Sequence, residues 1–156
     1  MKVWHYGDDI NTDMLFPGKY TYTCATPDEI KPHLLEDLDA TFAKGVQAGD
    51  VIVAGRNFGC GSSREHPSVG LAFAGIKAVI CKSVNRIFYR SSVNQGLPIL
   101  LVPEAVDAYK QGDNVEINFE KGFIMVRDKK FAFAPLPSKL MDIFQAKGLV
   151  NYVKNK

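Results

Sequence analysis

The sequence of 156 residues has few cysteines, and their placement is not typical of a disulfide scaffold or a metal site. Cys24, Cys60 and Cys81 are an odd number at wide spacing, so no disulfide ladder and no Cys-x-x-Cys pair is predicted. Cys81 lies in an apolar stretch, where we expect it to pack as a small apolar residue. Three scattered cysteines are a poor ligand set for an iron–sulfur cluster. No metal site is therefore predicted within this chain.

Long apolar runs and a strong charge of one sign are also absent. Apolar stretches such as residues 78–81 and 98–102 have the length of a strand, not of a membrane-spanning helix. The formal net charge is +2 and basic residues are mixed with acidic ones, so neither a nucleic-acid interface nor membrane binding is predicted. The first residues, Met-Lys-Val-Trp-His, enter a strand-like pattern directly. We therefore expect no signal peptide and a cytoplasmic protein.

The composition is that of an ordinary folded domain, with 46% hydrophobic and 23% charged residues. A chain of this length buries a sizeable core without disulfides or metals. No internal repeat or low-complexity linker divides it. We therefore expect residues 1–156 to form a single domain.

Strands and helices are predicted to alternate over the first two thirds of the chain. Alternating apolar and polar side chains predict a first strand at residues 2–6, followed by a polar loop at 7–13. Thr26 and Glu29 predict a capping box on a helix that starts near Pro27 and is interrupted at Pro32. Further on, buried strands are predicted at 51–54, 78–81 and 98–102, with helices at 67–75, 83–95 (N-cap Ser83) and 103–112. This alternation favours a parallel sheet with right-handed crossovers.

The last third of the chain has a different pattern. Short strands at residues 114–119, 123–126 and 130–133, joined by tight turns, predict an antiparallel meander, and a closing helix is predicted at 137–147. The predicted fold class is α/β, with a mostly parallel buried sheet, flanking helices and a C-terminal antiparallel meander.

One passage is richer in chemistry than the rest of the sequence, Gly-Arg-Asn-Phe-Gly-Cys-Gly-Ser-Ser-Arg-Glu-His-Pro at residues 55–67. It follows a predicted buried strand and precedes a helix, the position where α/β sheets place ligand sites. Gly59 and Gly61 permit backbone conformations and close approaches that side chains forbid. Ser62, Ser63 and Arg64 are expected at or just before the helix N-terminus, where free N–H groups favour an anion.

A helix cap and three known sequence motifs compete with a catalytic role for this passage. Ser62 and Glu65 have the spacing of a capping box, and for these residues alone capping is the favoured interpretation. A dinucleotide-binding fingerprint lacks its third small residue and its later acidic residue. A P-loop needs Gly-Lys-Ser/Thr and a nucleophile elbow needs Gly-x-Ser-x-Gly, and both are absent.

The passage at residues 59–67 resembles the signature of the swivelling domain of the aconitase superfamily. Two further passages agree in order and spacing with the small subunits of isopropylmalate dehydratase and homoaconitase. They are Asp-Ile-Asn-Thr-Asp at 9–13 with Pro-Gly-Lys-Tyr at 17–20, and Lys-Ser-Val-Asn-Arg-Ile-Phe at 82–88 with Asn-Gln-Gly-Leu-Pro at 94–98. The resemblance extends over nearly the whole chain.

The resemblance implies a hydro-lyase that dehydrates a 2-hydroxy di-acid and rehydrates it at the neighbouring carbon. A [4Fe–4S] cluster is expected on a larger partner subunit, so the chain is active only in the complex. Ser62 is the expected base, Arg64 and Ser63 are expected to hold a substrate carboxylate, and Asp13 is expected to orient groups beside them. His66 is interpreted as structural, and Arg86 as a surface cation or a buried anchor.

The same resemblance bears on the choice of substrate, because relatives contact its variable arm just after Pro-Gly-Arg/Lys-Tyr. Homoaconitases tend to have an arginine there, whereas this chain has Tyr22 and Thr23. An alkyl arm suits such a surface better than a carboxylate without a charged partner. An isopropylmalate dehydratase of leucine biosynthesis is therefore expected first, a 2,3-dimethylmalate dehydratase second and a homoaconitase third. A non-enzymatic anion-binding regulatory module and an RNA-binding relative are the alternatives from other classes.

Overall fold

A four-stranded parallel sheet lies at the centre of the computed structural model, which describes residues Met1–Lys156. Its strands follow the order of the chain, β1-β2-β3-β4, as in the predicted alternation of strands and helices. They are β1 (Val3–His5), β2 (Val51–Val53), β3 (Ala78–Cys81) and β4 (Ile99–Leu101). Every residue of β2 and β3 is buried, as expected for central strands covered on both faces. The predicted mostly parallel buried sheet is confirmed.

Alternate side chains of the strands supply two separate cores. Ile52, Val79 and Ile99 belong to a cluster of 21 buried residues that includes Phe16, Phe58 and Phe88. Val53, Ile80 and Leu100 point to the other face, where a cluster of 13 buried residues reaches the C-terminal strands. The period of two residues along each strand thus divides the sheet between two hydrophobic layers.

The helices that connect the parallel strands are α4 (His66–Phe73), after β2, and α5 (Arg86–Asn94), after β3, with α6 (Pro103–Ala108) after β4. Ser83 is not the cap of α5, contrary to the prediction. Asn85 is its N-cap, with Oδ1 accepting from the N–H of Ile87 at 3.0 Å. The Ser83 hydroxyl instead accepts from the N–H of Asn57 at 2.7 Å, which joins the loops after β2 and β3.

Short helical turns fill the long connection between β1 and β2. They are α1 (Thr12–Leu15), a 3-10 turn (Gly18–Tyr20), α2 (Pro27–Ile30), a second 3-10 turn (Lys31–His33) and α3 (Phe42–Gly45). The predicted capping box at Thr26 and Glu29 is present, and Pro32 lies where α2 gives way to the 3-10 turn. Residues 12 and 13, predicted as loop, form the first turn of α1.

The C-terminal third is the predicted antiparallel meander, with β5 (Val115–Asn118), β6 (Phe123–Val126) and β7 (Lys129–Ala132). The helix α7 (Ser138–Gln145) follows, and Gly148, with φ of 121°, precedes a further helix, α8 (Leu149–Lys154), that was not predicted. None of the helices combines the length and apolarity needed to span a bilayer.

Candidate functional site

Two loops run side by side at the carboxyl edge of the parallel sheet, residues 7–13 after β1 and residues 55–65 after β2. Because β1 and β2 are parallel neighbours, their carboxyl ends meet at the same edge, where α/β sheets bind ligands. Backbone hydrogen bonds continue the pairing beyond the strands. They run from Gly55 N–H to Gly7 C=O (3.0 Å), from Gly59 N–H to Ile10 C=O (2.7 Å) and from Thr12 N–H to Cys60 C=O (2.7 Å).

Two glycines permit this close approach of the loops. Gly59 has φ of 75°, and a Cβ there would lie 2.3 Å from Cγ of Phe88 in the core. Gly61 has φ of 117°, and a Cβ there would lie 2.8 Å from Oγ1 of Thr12. Both positions combine a backbone region that L side chains rarely adopt with a lack of space, so the geometry requires glycine.

Arg64 joins three elements of the site through its three guanidinium nitrogens. Nε donates to Oγ of Ser62 at 2.8 Å, Nη1 to Oγ1 of Thr21 at 2.7 Å, and Nη2 to Oδ1 of Asp13 at 2.5 Å. The Arg64 side chain is 20% exposed, whereas that of Asp13 is 72% exposed. The guanidinium is therefore oriented by fixed partners while remaining reachable from solvent.

Ser62 lies on the surface with its hydroxyl between Arg64 and a buried threonine. Its Oγ is 3.2 Å from Oγ1 of Thr12, and its own N–H donates to the same Thr12 oxygen at 3.0 Å. Ser62 is exposed and Thr12 is 2% exposed. Ser62 is thus an exposed residue that is held in place by hydrogen bonds to a buried threonine.

The capping-box interpretation of Ser62 and Glu65 is wrong. Glu65 is itself the N-cap of α4, no side chain caps that helix, and α4 begins at His66. Ser62, Ser63 and Arg64 lie ahead of the helix in an irregular segment. The Ser62 hydroxyl therefore has no capping role that would account for its placement.

Of the predicted site residues, Asp13, Ser62 and Arg64 are brought together. Ser63 is exposed, and its side chain makes no hydrogen bond within the chain. Tyr22 is fully exposed, and Thr23 is exposed with its hydroxyl donating to the carbonyl of Tyr20 at 3.3 Å. The residue of that loop that contacts Arg64 is Thr21.

Sequence reasoning missed Thr12 and Thr21. Both lie in or next to passages that carry the family resemblance, at 9–13 and just after 17–20. The available signal was a hydroxyl residue beside an expected site residue. Which hydroxyls turn towards Ser62 and Arg64 depends on contacts that span 50 and 43 residues.

His66 and Cys81 are held by packing contacts that fit a structural role. The His66 ring stacks on Phe16 with centroids 5.3 Å apart, and its Nε2 is 3.1 Å from the carbonyl oxygen of Cys24. Burial raises the pKa of the Cys81 thiol to about 12, in keeping with the apolar packing predicted for it. Arg86 is exposed, so it is a surface cation and not a buried anchor. No three His, Cys, Asp or Glu residues are grouped so that they could hold a metal ion, and the chain's own residues do not fit a cluster.

The family model of the aconitase C-terminal domain matches residues 9–104, a range that contains residues 9–13 of the first loop and the whole of the second. The chain belongs to the aconitase C-terminal domain family. This membership agrees with the resemblance seen in the three sequence passages.

Members of this family resemble the chain over nearly its full length. The 3-isopropylmalate dehydratase small subunit of Thermodesulfovibrio yellowstonii is 45% identical over 99% of this chain and 93% of its own length. Small subunit 1 of Thermotoga maritima is 44% identical over 98% and 93%. The crystal structure of 3-isopropylmalate dehydratase (leuD) from Methanocaldococcus jannaschii superposes with a TM-score of 0.89 at 42% identity, covering 99% of this chain and 92% of that one.

Proposed function

We propose that this chain is the small subunit of a 3-isopropylmalate dehydratase, a hydro-lyase that isomerises a 2-alkylmalate in leucine biosynthesis. Relatives of that name match almost end to end, and the observation that carries the proposal is the contact of Arg64 with Ser62. The guanidinium is oriented towards an exposed hydroxyl, which is the arrangement that a serine base beside an acidic substrate requires. In this proposal, residues 1–156 form one swivelling domain that works in the cytoplasm. The domain binds neither nucleic acid nor a membrane.

Ser62 is the proposed base. As an alkoxide, its Oγ takes the proton from the substrate carbon next to a carboxylate, and the electron pair of that C–H bond forms the double bond as hydroxide leaves the neighbouring carbon. In rehydration the proton returns to carbon from the Ser62 hydroxyl. The positive charge of Arg64, 2.8 Å from Oγ, favours the ionised form of the serine.

Arg64, Ser63 and Asp13 are the proposed substrate-binding groups. The Nη1 and Nη2 atoms of Arg64 form a planar fork that fits a carboxylate, while Nε stays on Ser62. The exposed hydroxyl of Ser63 has no partner in the chain and is available to the same carboxylate. Asp13 bonds to Nη2, one arm of this fork, and orients the guanidinium before the substrate carboxylate binds.

The site in this chain is an open surface, and a surface cannot exclude water from a reacting di-acid. A large subunit must therefore cover it. A [4Fe–4S] cluster on that subunit would supply the Lewis acidity for the departure of the hydroxyl group. This chain contributes the base and the carboxylate clamp and has no ligand set for the cluster.

Tyr22 and Thr23 are proposed to contact the variable arm of the substrate. Tyr22 is fully exposed, so its aromatic ring has no packing role in this chain and is free to contact an alkyl arm. A second carboxylate on that arm would meet no arginine in the stretch from 20 to 23. Isopropylmalate is therefore the preferred substrate, ahead of 2,3-dimethylmalate and homocitrate.

Reconstitution with the large subunit tests the proposal. We expect the pair to turn over isopropylmalate, with 2,3-dimethylmalate slower and homocitrate slowest, and each subunit alone to be inactive. Turnover by this chain alone, or activity confined to homocitrate, contradicts it. Binding of the di-acids without turnover by the pair supports a regulatory module instead. Tyr22→Arg should raise kcat/KM for homocitrate relative to isopropylmalate, and Tyr22→Phe, the matched control, should not.

A further inference from the structure

Thr12 makes two contacts with Ser62, the proposed base. Its Oγ1 accepts from the Ser62 N–H at 3.0 Å and lies 3.2 Å from the Ser62 Oγ. Thr12 is 2% exposed, although Ser62 itself is on the surface. A buried threonine hydroxyl thus contacts both the hydroxyl and the backbone N–H of the proposed base.

The number of hydrogens on these groups decides the direction of the contact. A threonine hydroxyl has one hydrogen to donate and two lone pairs, and the Ser62 N–H occupies one lone pair. When Ser62 is neutral, either hydroxyl can donate across the 3.2 Å contact. When Ser62 is an alkoxide it has no hydrogen, so only Thr12 can donate. Both hydrogen bonds of the Thr12 hydroxyl are with Ser62, so ionisation gives its hydrogen an anionic acceptor.

The backbone around Thr12 holds this hydroxyl in place. Its N–H donates to the carbonyl of Cys60 at 2.7 Å, on the loop that carries Ser62. Gly61 leaves the space that the hydroxyl occupies, because a Cβ at that position would lie 2.8 Å from the Thr12 oxygen. A donor fixed in this way needs little reorganisation when charge develops on its partner.

We propose that Thr12 is a positioning residue that donates a second hydrogen bond to ionised Ser62, in addition to the one from Arg64 Nε. The proposal rests on the role of Ser62 as the base in the proposed function. Two donors that converge on one oxygen stabilise its negative charge, as an oxyanion hole does for a reaction intermediate. Ser62 therefore ionises at a lower pH than a serine with Arg64 alone.

Thr12→Val and Thr12→Ser in the reconstituted pair separate this role from a merely structural one. Thr12→Val keeps the shape and removes both the donor to Ser62 Oγ and the acceptor of the Ser62 N–H, so we expect kcat to fall about 100-fold with little change in KM. The rising limb of kcat against pH should move up by about one to two pH units, since a hydrogen bond to a charged group changes an equilibrium by roughly tenfold to a hundredfold. Thr12→Ser keeps the donor and should retain the wild-type limb. A lower kcat with an unmoved limb, or a change in KM alone, overturns the proposal.

The pH dependence of thiol alkylation tests the role of Thr12 without measuring turnover, so the result does not depend on the proposed function. Ser62→Cys, made in a Cys60→Ala background to leave one thiol on the loop, reports the environment of that position through the pH dependence of its alkylation. Adding Thr12→Val should raise the midpoint of that dependence by about one pH unit if one charge-assisted donor is lost. Equal midpoints overturn the role of Thr12, even where the wild-type pair is active. A raised midpoint with a wild-type pair that turns over no di-acid supports the donor and rejects the proposed function. Thr12→Ala replaces Thr12→Val if that variant does not fold.

Discussion

Nη2 of Arg64 donates a 2.5 Å hydrogen bond to Oδ1 of Asp13, which lies 51 residues earlier in the chain. Asp13 occupies part of the fork that a substrate carboxylate is proposed to use. Its side chain is 72% exposed, and ion pairs with an exposed member contribute about 0–1 kcal/mol. Exchanging one carboxylate for another at Arg64 therefore costs little, and in the proposed mechanism Asp13 holds the guanidinium in position until the substrate arrives.

Ser62→Ala should abolish most turnover of the reconstituted pair and leave substrate binding intact. The hydroxyl is the proposed base, whereas the carboxylate fork is on Arg64. We expect kcat to fall by about 10²–10⁴, the usual contribution of general acid–base catalysis, with KM within a few-fold of wild type. Steady-state kinetics and a binding titration check this. Ser63→Ala is the matched control and should affect KM more than kcat, and near-normal kcat in Ser62→Ala would reject the base.

Arg64→Lys should weaken both substrate binding and the ionisation of Ser62, although the charge is kept. A lysine ammonium cannot reach Ser62, Thr21 and Asp13 with separate nitrogens, as the guanidinium does. We expect KM for isopropylmalate to rise about tenfold to a hundredfold, in line with the loss of a charge-assisted hydrogen bond, and kcat to fall as well. Lys82, which pairs with Asp107, offers a control in Lys82→Arg, which should leave both parameters unchanged.

Gly61→Ala should lose activity as well as stability, whereas Gly112→Ala should lose stability alone. Both glycines have positive φ, at 117° and 94°, so alanine strains either backbone by about 1–3 kcal/mol. A Cβ at Gly112 meets nothing within 4 Å, but one at Gly61 lies 2.8 Å from the Thr12 oxygen. Chemical denaturation should show a loss of stability in both variants, and a larger one in Gly61→Ala, because its clash with Thr12 adds to the backbone strain. Equal activity of the two in the reconstituted pair would contradict the importance of the contact between Thr12 and Ser62.

Asp50 should make the stability of the chain depend on acid pH. Burial alone would raise its pKa, but hydrogen bonds from the N–H groups of Gln47 and Lys2 and from the indole of Trp4 together lower it. A lowered folded-state pKa gives stability that is complete above the unfolded value, about 3.9, and is lost as the pH falls through the folded value.

Asp50→Asn tests this dependence, because it removes the charge and keeps the size. Urea titrations should show the variant less stable at pH 7 by about 1.5–3 kcal/mol, the range for hydrogen bonds to a charged group. Below about pH 4 its free energy of unfolding should fall less steeply than that of wild type. Parallel curves for the two proteins down to pH 2 would contradict the role of Asp50. Asp28→Asn, at an exposed position, is the control and should follow wild type.

Local sequence determined the parallel sheet and much of the site. Apolar runs at 51–54, 78–81 and 98–102 are strands because they bury continuous apolar surface, and Thr26 with Glu29 begins a helix because the capping bonds join neighbours in the chain. The motif around Ser62 and Arg64 was recognisable because its residues are contiguous in the sequence, so the motif can be identified without a structure.

Tertiary structure decided which hydroxyls serve the site. A serine or threonine hydroxyl can cap a helix, bond to a turn or reach another loop, and residues nearby in sequence do not choose among these. Ser62 and Ser83 had the sequence context of caps, yet both bond to other loops, and Thr12 reaches Ser62 across 50 residues. These contacts follow from the parallel registers of β1 with β2 and of β2 with β3, which set the loops beyond the strands side by side. Register is a property of the assembled sheet, and so the threonine behind Ser62 became visible only in the folded chain.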